Sequence, residues 1–302
     1  MSRVHILIAI VVAWMWGFNF SVIKLGVEGM DPLVLAGLRF TFAAIPAIFF
    51  IKKPRVSWSV LALYGLTFGV GVWGMLTLSI YLGVSAGMSS LILQSSAFIS
   101  VLLGVIILKE KLSIFRKVGL FISIFGLSLI FTLQDGSVTL IGILFACFAS
   151  VSFSLVGLII KKVTINDMFA FVVWSCVFAP VPLFTLSLML NGTSVFVSLI
   201  NNMNYLSVFS VLFQAYPVTL LGYWLWNKLV AHYPMSTMAP LTLLVPLFAL
   251  LGSAIFYNEQ IGMTKLLACV CILSGIAFGF IEGVAEPIIK KLKLKMRVYR
   301  VN

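Results

Sequence analysis

Long apolar runs separated by short polar stretches dominate this sequence. The run from Ile6 to Ile23, for example, contains no charged residue, and similar runs recur along the 302-residue chain. A helix needs about 20 apolar residues to cross roughly 30 Å of hydrocarbon. A membrane-spanning β-barrel would instead show alternating strands of about ten residues. The runs therefore predict an all-α integral membrane protein.

Composition supports this prediction, because 62% of the residues are hydrophobic and only 9% are charged. A soluble domain needs far more charge to cover its surface. The four cysteines all fall inside apolar runs and are predicted to be small buried residues. We find no metal-ligand cluster, no phosphate-binding glycine loop and no catalytic constellation at membrane depth. The sequence therefore predicts no cofactor, no bound metal and no enzymatic activity.

Ten apolar runs are long enough to form membrane-spanning helices. Charged or Asn-rich stretches such as Lys52-Lys53-Pro54-Arg55 separate them. The predicted spans are residues 6–23, 33–51, 58–80, 86–108, 116–133, 138–160, 168–190, 205–227, 236–257 and 264–282. Together they use about 200 residues, which leaves only short loops.

The distribution of Lys and Arg predicts how the chain lies in the membrane. If the amino terminus is inside, 17 of the 20 Lys and Arg residues fall in cytoplasmic segments. Cytoplasmic loops carry such an excess, so both termini are predicted to be cytoplasmic. The net charge of +12 thus indicates topology, and nucleic acid is not a predicted partner. The basic tail, residues 283–302, is predicted to lie near anionic lipid headgroups.

A weak internal repeat is visible at an offset of 149 residues. It pairs Glu110 with Glu259, Arg116 with Lys265 and Gly126 with Gly275. Five spans per half is an odd number, so the halves must enter the membrane in opposite orientations. Residues 1–133 and 138–282 are therefore predicted to form two inverted five-helix repeats. Such repeats are common in secondary transporters, whose substrate site lies near the midplane between the halves.

Several motifs resemble those of a known family. In the first half they are Trp16-Gly17-Phe18-Asn19-Phe20, Leu35-Ala36-Gly37-Leu38-Arg39-Phe40 and Pro46-Ala47-Ile48-Phe49-Phe50; in the second half they are Ala239-Pro240-Leu241-Thr242-Leu243-Leu244-Val245-Pro246 and Asn258-Glu259-Gln260. Together they resemble the EamA family of the drug/metabolite transporter superfamily, over roughly residues 3 to 282. Their wording is closest to bacterial members that export cysteine and O-acetylserine.

The resemblance implies ten transmembrane helices in a bacterial inner membrane and efflux of amino acids or related metabolites. The expected function is therefore secondary transport by alternating access, with a small-molecule substrate and the lipid bilayer as partners. The alternatives are a drug or organic-cation exporter of the same superfamily, and an intramembrane enzyme acting on a lipid-linked substrate. The first span lacks the acidic residue that small multidrug transporters use, which weighs against the cation exporter. We expect a monomer, with a dimer as the alternative.

Arg39 is the one charged residue plainly inside a predicted span. It lies about six residues, or roughly 9 Å, below the outer end of the second span. A charge at such a depth is usually functional. Arg39 is therefore a candidate clamp for a substrate carboxylate. The alternative is a structural residue that pairs with Glu28 or Asp31, and its position nearer one face than the midplane favours that role.

Uncharged polar and aromatic residues nearer the midplane are the other site candidates. Amides in lipid need partners, so they are expected to face the bundle interior, where they line a cavity or join helices. The candidates are Trp16, Asn19, Trp73, Gln94, Gln214, Tyr216, Tyr223, Trp224 and Thr242. Trp16 and Trp224 are also candidates to cage an ammonium group by cation–π contact. Pro217, which breaks its helix, supports a site in this half.

All eight acidic residues map to loops, helix ends or the tail. Proton-coupled transporters commonly carry the proton on an acidic residue or histidine inside the membrane. The sequence therefore predicts that the substrate runs down its own gradient.

Overall fold

The computed structural model describes residues 1–109, 113–233 and 235–279, most of which are helical. In these residues, seven helices are long and apolar enough to cross a membrane. Shorter helices occupy the other predicted spans: Pro32–Ile48, Ile114–Ile130 and Met263–Gly279. The all-helical prediction is confirmed. Glu110 and the predicted basic tail lie outside the described residues.

We number the helices of these ten segments in chain order. They are α1 (Arg3–Val27), α2 (Pro32–Ile48), α3 (Trp58–Tyr81), α4 (Ala86–Ile107), α5 (Ile114–Ile130), α6 (Leu140–Lys162), α7 (Met168–Asn191), α8 (Tyr205–His232), α9 (Pro240–Tyr257) and α10 (Met263–Gly279). A short helix, Ser194–Asn202, lies between α7 and α8. The predicted bounds differ from these by a few residues.

Short polar side chains determine where many of the helices begin. The Asp31 carboxylate accepts hydrogen bonds from the backbone amides of Leu33 and Val34 at 2.9 and 3.0 Å, and Pro32 follows it at the first helical position. This is a favoured start for a helix, because the cap satisfies amides that have no helical partner. Equivalent side-chain caps begin α1, α3, α4, α5, α6, α7 and α8.

Two helices contain a nine-residue π-helical segment in their middle. The segments are Leu66–Gly74 in α3 and Gln214–Gly222 in α8, and their first residues are 148 positions apart. Pro217 lies inside the second one. π-Helical turns are rare and occur mostly at functional sites.

A second pair of backbone features is separated by 149 positions. Lys109 ends α4 and Asn258 ends α9, and both have left-handed backbone angles, with φ of 54° and 51°. Few residues other than glycine adopt this conformation. The same helix ending therefore occurs twice, at the offset of the sequence repeat.

Contacts between connections define the two ends of the bundle. At the N-terminal end, His5 Nδ1 lies 2.7 Å from the hydroxyl of Tyr233. At the opposite end, the Ser85 amide donates to the Ser137 carbonyl at 2.8 Å, which joins the α3–α4 and α5–α6 connections. Asp31 before α2 and Asn191 at the end of α7 also lie at this opposite end, where Asn191 Nδ2 donates to the Asp31 carboxylate at 2.8 Å.

Helices α5 and α10 pack very closely through small residues. A Cβ atom on Gly119 would collide with the carbonyl oxygen of Gly275, and one on Gly275 would collide with Ser123. Beside this contact, α4, α5 and α10 line an open cavity of about 250 Å³. It lies toward the N-terminal end and away from Arg39.

Candidate functional site

The side chain of Arg39 is completely buried in the bundle. Its Nε donates a hydrogen bond to the hydroxyl of Thr219 on α8 at 3.2 Å. Its guanidinium carbon lies 4.0 Å from the ring centroid of Trp73 on α3. The two terminal nitrogens, Nη1 and Nη2, have no hydrogen-bond partner among the described residues. A fully buried cation is thus held at one nitrogen and left open at two others.

The alternative partners expected for Arg39 are engaged elsewhere or not in contact with it. Asp31 caps α2 and accepts hydrogen bonds from Ser187 and Asn191. Among the described residues, Arg39 makes no ion pair with Asp31 or Glu28. The pairing predicted for a structural role is therefore wrong, because capping and the α7 contacts use the Asp31 carboxylate.

Several aromatic rings lie near Trp73, which contacts the guanidinium. The ring centroid of Trp73 lies 6.3 Å from those of Phe20 and Phe68. The centroid of Phe68 lies 5.7 Å from that of Tyr223 on α8. These rings exclude water, which strengthens electrostatic interactions with a buried cation.

The π-helical segment of α8 supplies the polar groups on the other side. The Thr219 hydroxyl donates to the backbone carbonyl of Gln214 at 2.8 Å, five residues earlier, and accepts from Arg39. The Gln214 side chain is fully buried and its Nε2 donates to the Ser210 hydroxyl at 3.0 Å. Among the described residues, the side-chain oxygen of Gln214, Oε1, has no hydrogen-bond partner.

Asn19 on α1 lies level with the start of this π-helical segment. The Ser210 hydroxyl donates to the Val22 carbonyl at 2.7 Å, and Trp16 Nε1 donates to the Val218 carbonyl at 3.2 Å. Helices α1 and α8 run in opposite directions, so Asn19 lies at the level of the stretch between Ser210 and Val218. The Asn19 side chain is completely buried, and in the part of the chain that the structure describes neither of its amide atoms has a hydrogen-bond partner.

These groups form one buried polar layer, which we call the central layer. It consists of Asn19, Arg39, Trp73, Gln214 and Thr219. Buried polar groups are nearly always hydrogen-bonded, so several unpartnered atoms in one layer call for an explanation. Here they include donors on Arg39 and acceptors on Asn19 and Gln214. Such a layer suits a ligand that carries both acceptors and donors.

The structure does not bring every predicted site residue into the central layer. Tyr216 and Trp224 are each 38% exposed, and Lys228 Nζ lies 3.6 Å from the ring centroid of Trp224 on the outside of the bundle. Trp16 packs against Trp226, with centroids 5.2 Å apart. The predicted Trp16–Trp224 cage is therefore wrong, because the two rings belong to different surroundings.

The remaining candidates lie nearby but play different parts. Tyr223 borders the aromatic wall through Phe68. Gln94 is only partly buried and stands where α4 breaks between Leu93 and Ser96. Thr242 is partly buried near the start of α9. Tyr223 also lies close enough to Arg39 to interact with it electrostatically.

Sequence analysis missed Thr219, which anchors Arg39. A lone threonine in an apolar run carries no signal of its own. The available signal was Pro217, two residues away, which marked a break in the helical hydrogen bonding of this stretch.

Comparisons with known proteins agree in both family and fold. The sequence profile described as "EamA-like transporter family" matches residues 3–132 and again residues 140–281. A protein of Escherichia coli (strain K12) named "Probable amino-acid metabolite efflux pump" is 33% identical over 282 residues, which cover 91% of this chain and 94% of that protein. A protein of the same name from Salmonella typhimurium is 33% identical over 289 residues, covering 93% and 97%.

A solved crystal structure shares the fold. It aligns with a TM-score of 0.62 at 17% sequence identity, and the alignment covers 92% of this chain and 96% of the other. At this identity the similarity concerns the fold alone.

Proposed function

Because this chain belongs to the EamA-like transporter family, we propose that it exports small amino-acid-type metabolites, similar to cysteine and O-acetylserine. The protein would move its substrate across a bacterial inner membrane by alternating access, and both of its termini would lie in the cytoplasm. The names of the two efflux-pump relatives support the substrate class.

The observation that carries this proposal is the open guanidinium of Arg39. Burying a cation without a counter-ion is costly, and each unpartnered buried group adds to that cost. A carboxylate placed between Nη1 and Nη2 would satisfy both nitrogens through a bidentate pair. Amino-acid-type metabolites carry such a carboxylate, whereas organic cations would be repelled.

We further propose that the ten helices form two inverted five-helix repeats, residues 1–133 and 138–282. The π-helical segments in α3 and α8 and the left-handed ends of α4 and α9 support this, because each pair is separated by the repeat offset of 148 or 149 residues. Arg39 and Trp73 would come from one repeat and Thr219 from the other. A site between repeats is the usual arrangement in such transporters.

Transport by purified protein in proteoliposomes tests the proposal. We expect labelled L-serine and O-acetyl-L-serine to exchange across the membrane, and L-serinamide, which lacks the carboxylate, to compete at least about tenfold less well. The Arg39→Met variant should lose transport, whereas Lys228→Met, which removes a surface cation, should retain it. Transport of L-serinamide as good as that of L-serine would contradict the role of Arg39. Exchange of an organic cation such as tetraphenylphosphonium instead would support the drug-exporter alternative.

A further inference from the structure

Among the described residues, neither the amide oxygen of Asn19 nor that of Gln214 has a hydrogen-bond partner. Resting on the proposed function, we propose that these two oxygens bind the ammonium group of the substrate, so that the site selects zwitterions with a free amino group. Both side chains are completely buried, and both oxygens lack hydrogen-bond partners.

The hydrogen bonds of Ser210 determine which end of Gln214 is the acceptor. The Ser210 hydroxyl has one hydrogen, and the carbonyl of Val22 accepts it. Its oxygen can therefore only accept from Gln214, so the atom facing it must be the NH2 group. The carbonyl oxygen of Gln214 is the remaining end, and it is the end without a partner.

The unpartnered groups of the central layer come from two pairs of helices. Among the described residues, Arg39 and Trp73 on α2 and α3 have unpartnered donors, whereas Gln214 on α8 has an unpartnered oxygen and Asn19 on α1 has both an unpartnered oxygen and an unpartnered NH2 group. A substrate carboxylate needs donors and an ammonium group needs acceptors. An amino acid bound across the layer would meet both requirements at once.

Neutral amide oxygens suit this role better than a carboxylate would. Arg39 is the one charged residue of the central layer. Because a zwitterion has no net charge, the site keeps the same net charge whether it is empty or occupied. An N-acylated amino acid keeps the carboxylate but loses the charged donor. It would leave both amide oxygens buried and unsatisfied.

O-Acetyl-L-serine and N-acetyl-L-serine provide a matched pair of probes, because they are isomers that differ in which group carries the acetyl. In proteoliposomes, we expect the wild-type protein to take up the O-acetyl isomer at least about tenfold more efficiently, the effect of a lost charge-assisted hydrogen bond. Equal uptake of both isomers would overturn the ammonium assignment while leaving the proposed function intact. Uptake of neither, nor of L-serine, would contradict the proposed function itself.

Variants locate the preference in the structure. Asn19→Leu and Gln214→Leu should reduce uptake of O-acetyl-L-serine about tenfold and remove the preference between isomers. The control is Ser207→Ala, which removes another buried, unpartnered hydroxyl from α8 two turns away. If a leucine variant fails to fold, Asn19→Ala or Gln214→Ala removes the same oxygen without added bulk and should likewise remove the preference. Full preference in folded Asn19→Leu and Gln214→Leu would refute the assignment.

An independent inference concerns Lys265, which lies at the start of α10 and is only 2% exposed. Its Nζ lies 2.9 Å from Asp135 Oδ2 and 2.9 Å from Glu259 Oε1. It also donates to the carbonyl of Gln260 at 2.9 Å. A buried lysine thus joins the α5–α6 and α9–α10 connections at the opposite end of the bundle.

Serine hydroxyls satisfy the remaining oxygens of Glu259. Ser85, at the start of α4, donates to its Oε1 at 2.7 Å, and Ser253 on α9 donates to its Oε2. The carboxylate of Glu259 is 7% exposed. The network therefore ties α4 and the α5–α6 connection to α9 and α10.

We infer that this network is an ionic lock that closes the opposite end of the bundle. Resting on the proposed function, the inference is that the network must separate for substrate to leave at that end. It joins residues of both proposed repeats. Alternating access requires those repeats to move apart at one end while they stay together at the other. Removing one partner of a buried ion pair leaves an uncompensated charge, so the closed arrangement should be sensitive to Lys265.

Accessibility of a single cysteine tests the lock without any transport measurement. Ser90 on α4 lies five residues beyond Ser85 and is buried, so Ser90→Cys, in a chain whose four native cysteines are replaced by alanine, reports opening. In lipid nanodiscs, Lys265→Met should raise the rate of maleimide labelling at least about tenfold. Glu259→Gln, which keeps the side-chain shape, should also raise it. Lys24→Met, which removes a cation that lies over Tyr257 at the same end, should not. Equal labelling in all folded variants would refute the lock.

Discussion

Among the described residues, the two buried cations should respond differently to the same substitution. Arg39 and Lys265 are 0% and 2% exposed. Lys265 contacts two carboxylates, whereas Arg39 has one hydroxyl, one aromatic face and two unpartnered nitrogens. Methionine at either position removes the charge and keeps an apolar side chain of similar length. We expect Lys265→Met to destabilise the empty protein and Arg39→Met to leave its stability nearly unchanged.

The magnitudes follow from the contacts. Arg39→Met loses a hydrogen bond of a charged group, about 1.5–3 kcal/mol, and a buried cation–π contact of about 2 kcal/mol. It also relieves two unpartnered buried nitrogens, at about 1–3 kcal/mol each. These terms nearly cancel, so the free energy of unfolding should change by less than about 2 kcal/mol. Lys265→Met leaves two carboxylates without their cation, which costs about 3–5 kcal/mol.

Although Arg39→Met should change stability little, it should greatly lower the apparent affinity for substrate. Loss of two charge-assisted hydrogen bonds to a substrate carboxylate, at about 1.5–3 kcal/mol each, corresponds to roughly 100-fold or more in apparent affinity. Thermal unfolding of both variants in the same detergent measures stability. Exchange of labelled L-serine in proteoliposomes, across a range of concentrations, measures affinity.

One outcome would refute this reasoning directly. If Arg39→Met lost as much stability as Lys265→Met, Arg39 would be a structural residue, and loss of transport would only report misfolding. Addition of L-serine provides an internal check, since a bound ligand stabilises the folded state. It should raise the unfolding temperature of the wild-type protein and not that of Arg39→Met.

Three further predictions concern topology, packing and pH. With the amino terminus in the cytoplasm, an impermeant maleimide applied to intact cells should label a cysteine at exposed position Gln134 and not one at Arg55; the opposite pattern would contradict the orientation. Gly275→Val should destabilise the protein by at least about 1–3 kcal/mol in thermal unfolding, because the valine side chain would collide with α5. The control Gly279→Ala should be neutral, because a side chain there meets open space. Burial opposes ionisation of Asp135, but hydrogen bonds from Ser137 and Lys265 lower its pKa from 3.8 to about 2. The stability that the Asp135 carboxylate adds is therefore fully present above its ordinary pKa and is lost as the pH falls through about 2. The difference in unfolding temperature between wild type and Asp135→Asn should therefore be the same at about pH 5 and about pH 8.

The helical, membrane-spanning class of this protein followed from the sequence alone. Apolar runs of about 20 residues leave a chain few ways to satisfy its backbone in lipid, so length and composition decide the class without any long-range information. The family resemblance was equally local, since it rested on short motifs such as Trp16-Gly17-Phe18-Asn19-Phe20, and the family match confirmed it. The repeat offset was also visible, and the paired π-helical segments occur at nearly the same spacing.

Which polar side chains face inward was decided by the tertiary structure. Helical periodicity predicts the faces of a regular α-helix, but a π-helical segment inserts residues and rotates everything that follows. Tyr216 and Trp224 lie within or just after such a segment and are turned outward, while Gln214 and Thr219 are turned inward. Periodicity counted across Pro217 could not predict this difference.

Long-range pairing decided the environments of the two buried cations. In the sequence, Lys265 is one of two lysines on the predicted outer side, with no sign that Asp135, 130 residues earlier, lies 2.9 Å away. For Arg39, the sequence favoured a structural role over a substrate clamp, and the open guanidinium is seen only in the structure. A charge in a low-dielectric interior is governed by the few groups that the fold brings within hydrogen-bonding distance. Sequence spacing determines such distances only within one helix, so the roles of Arg39 and Lys265 depend on how the helices pack.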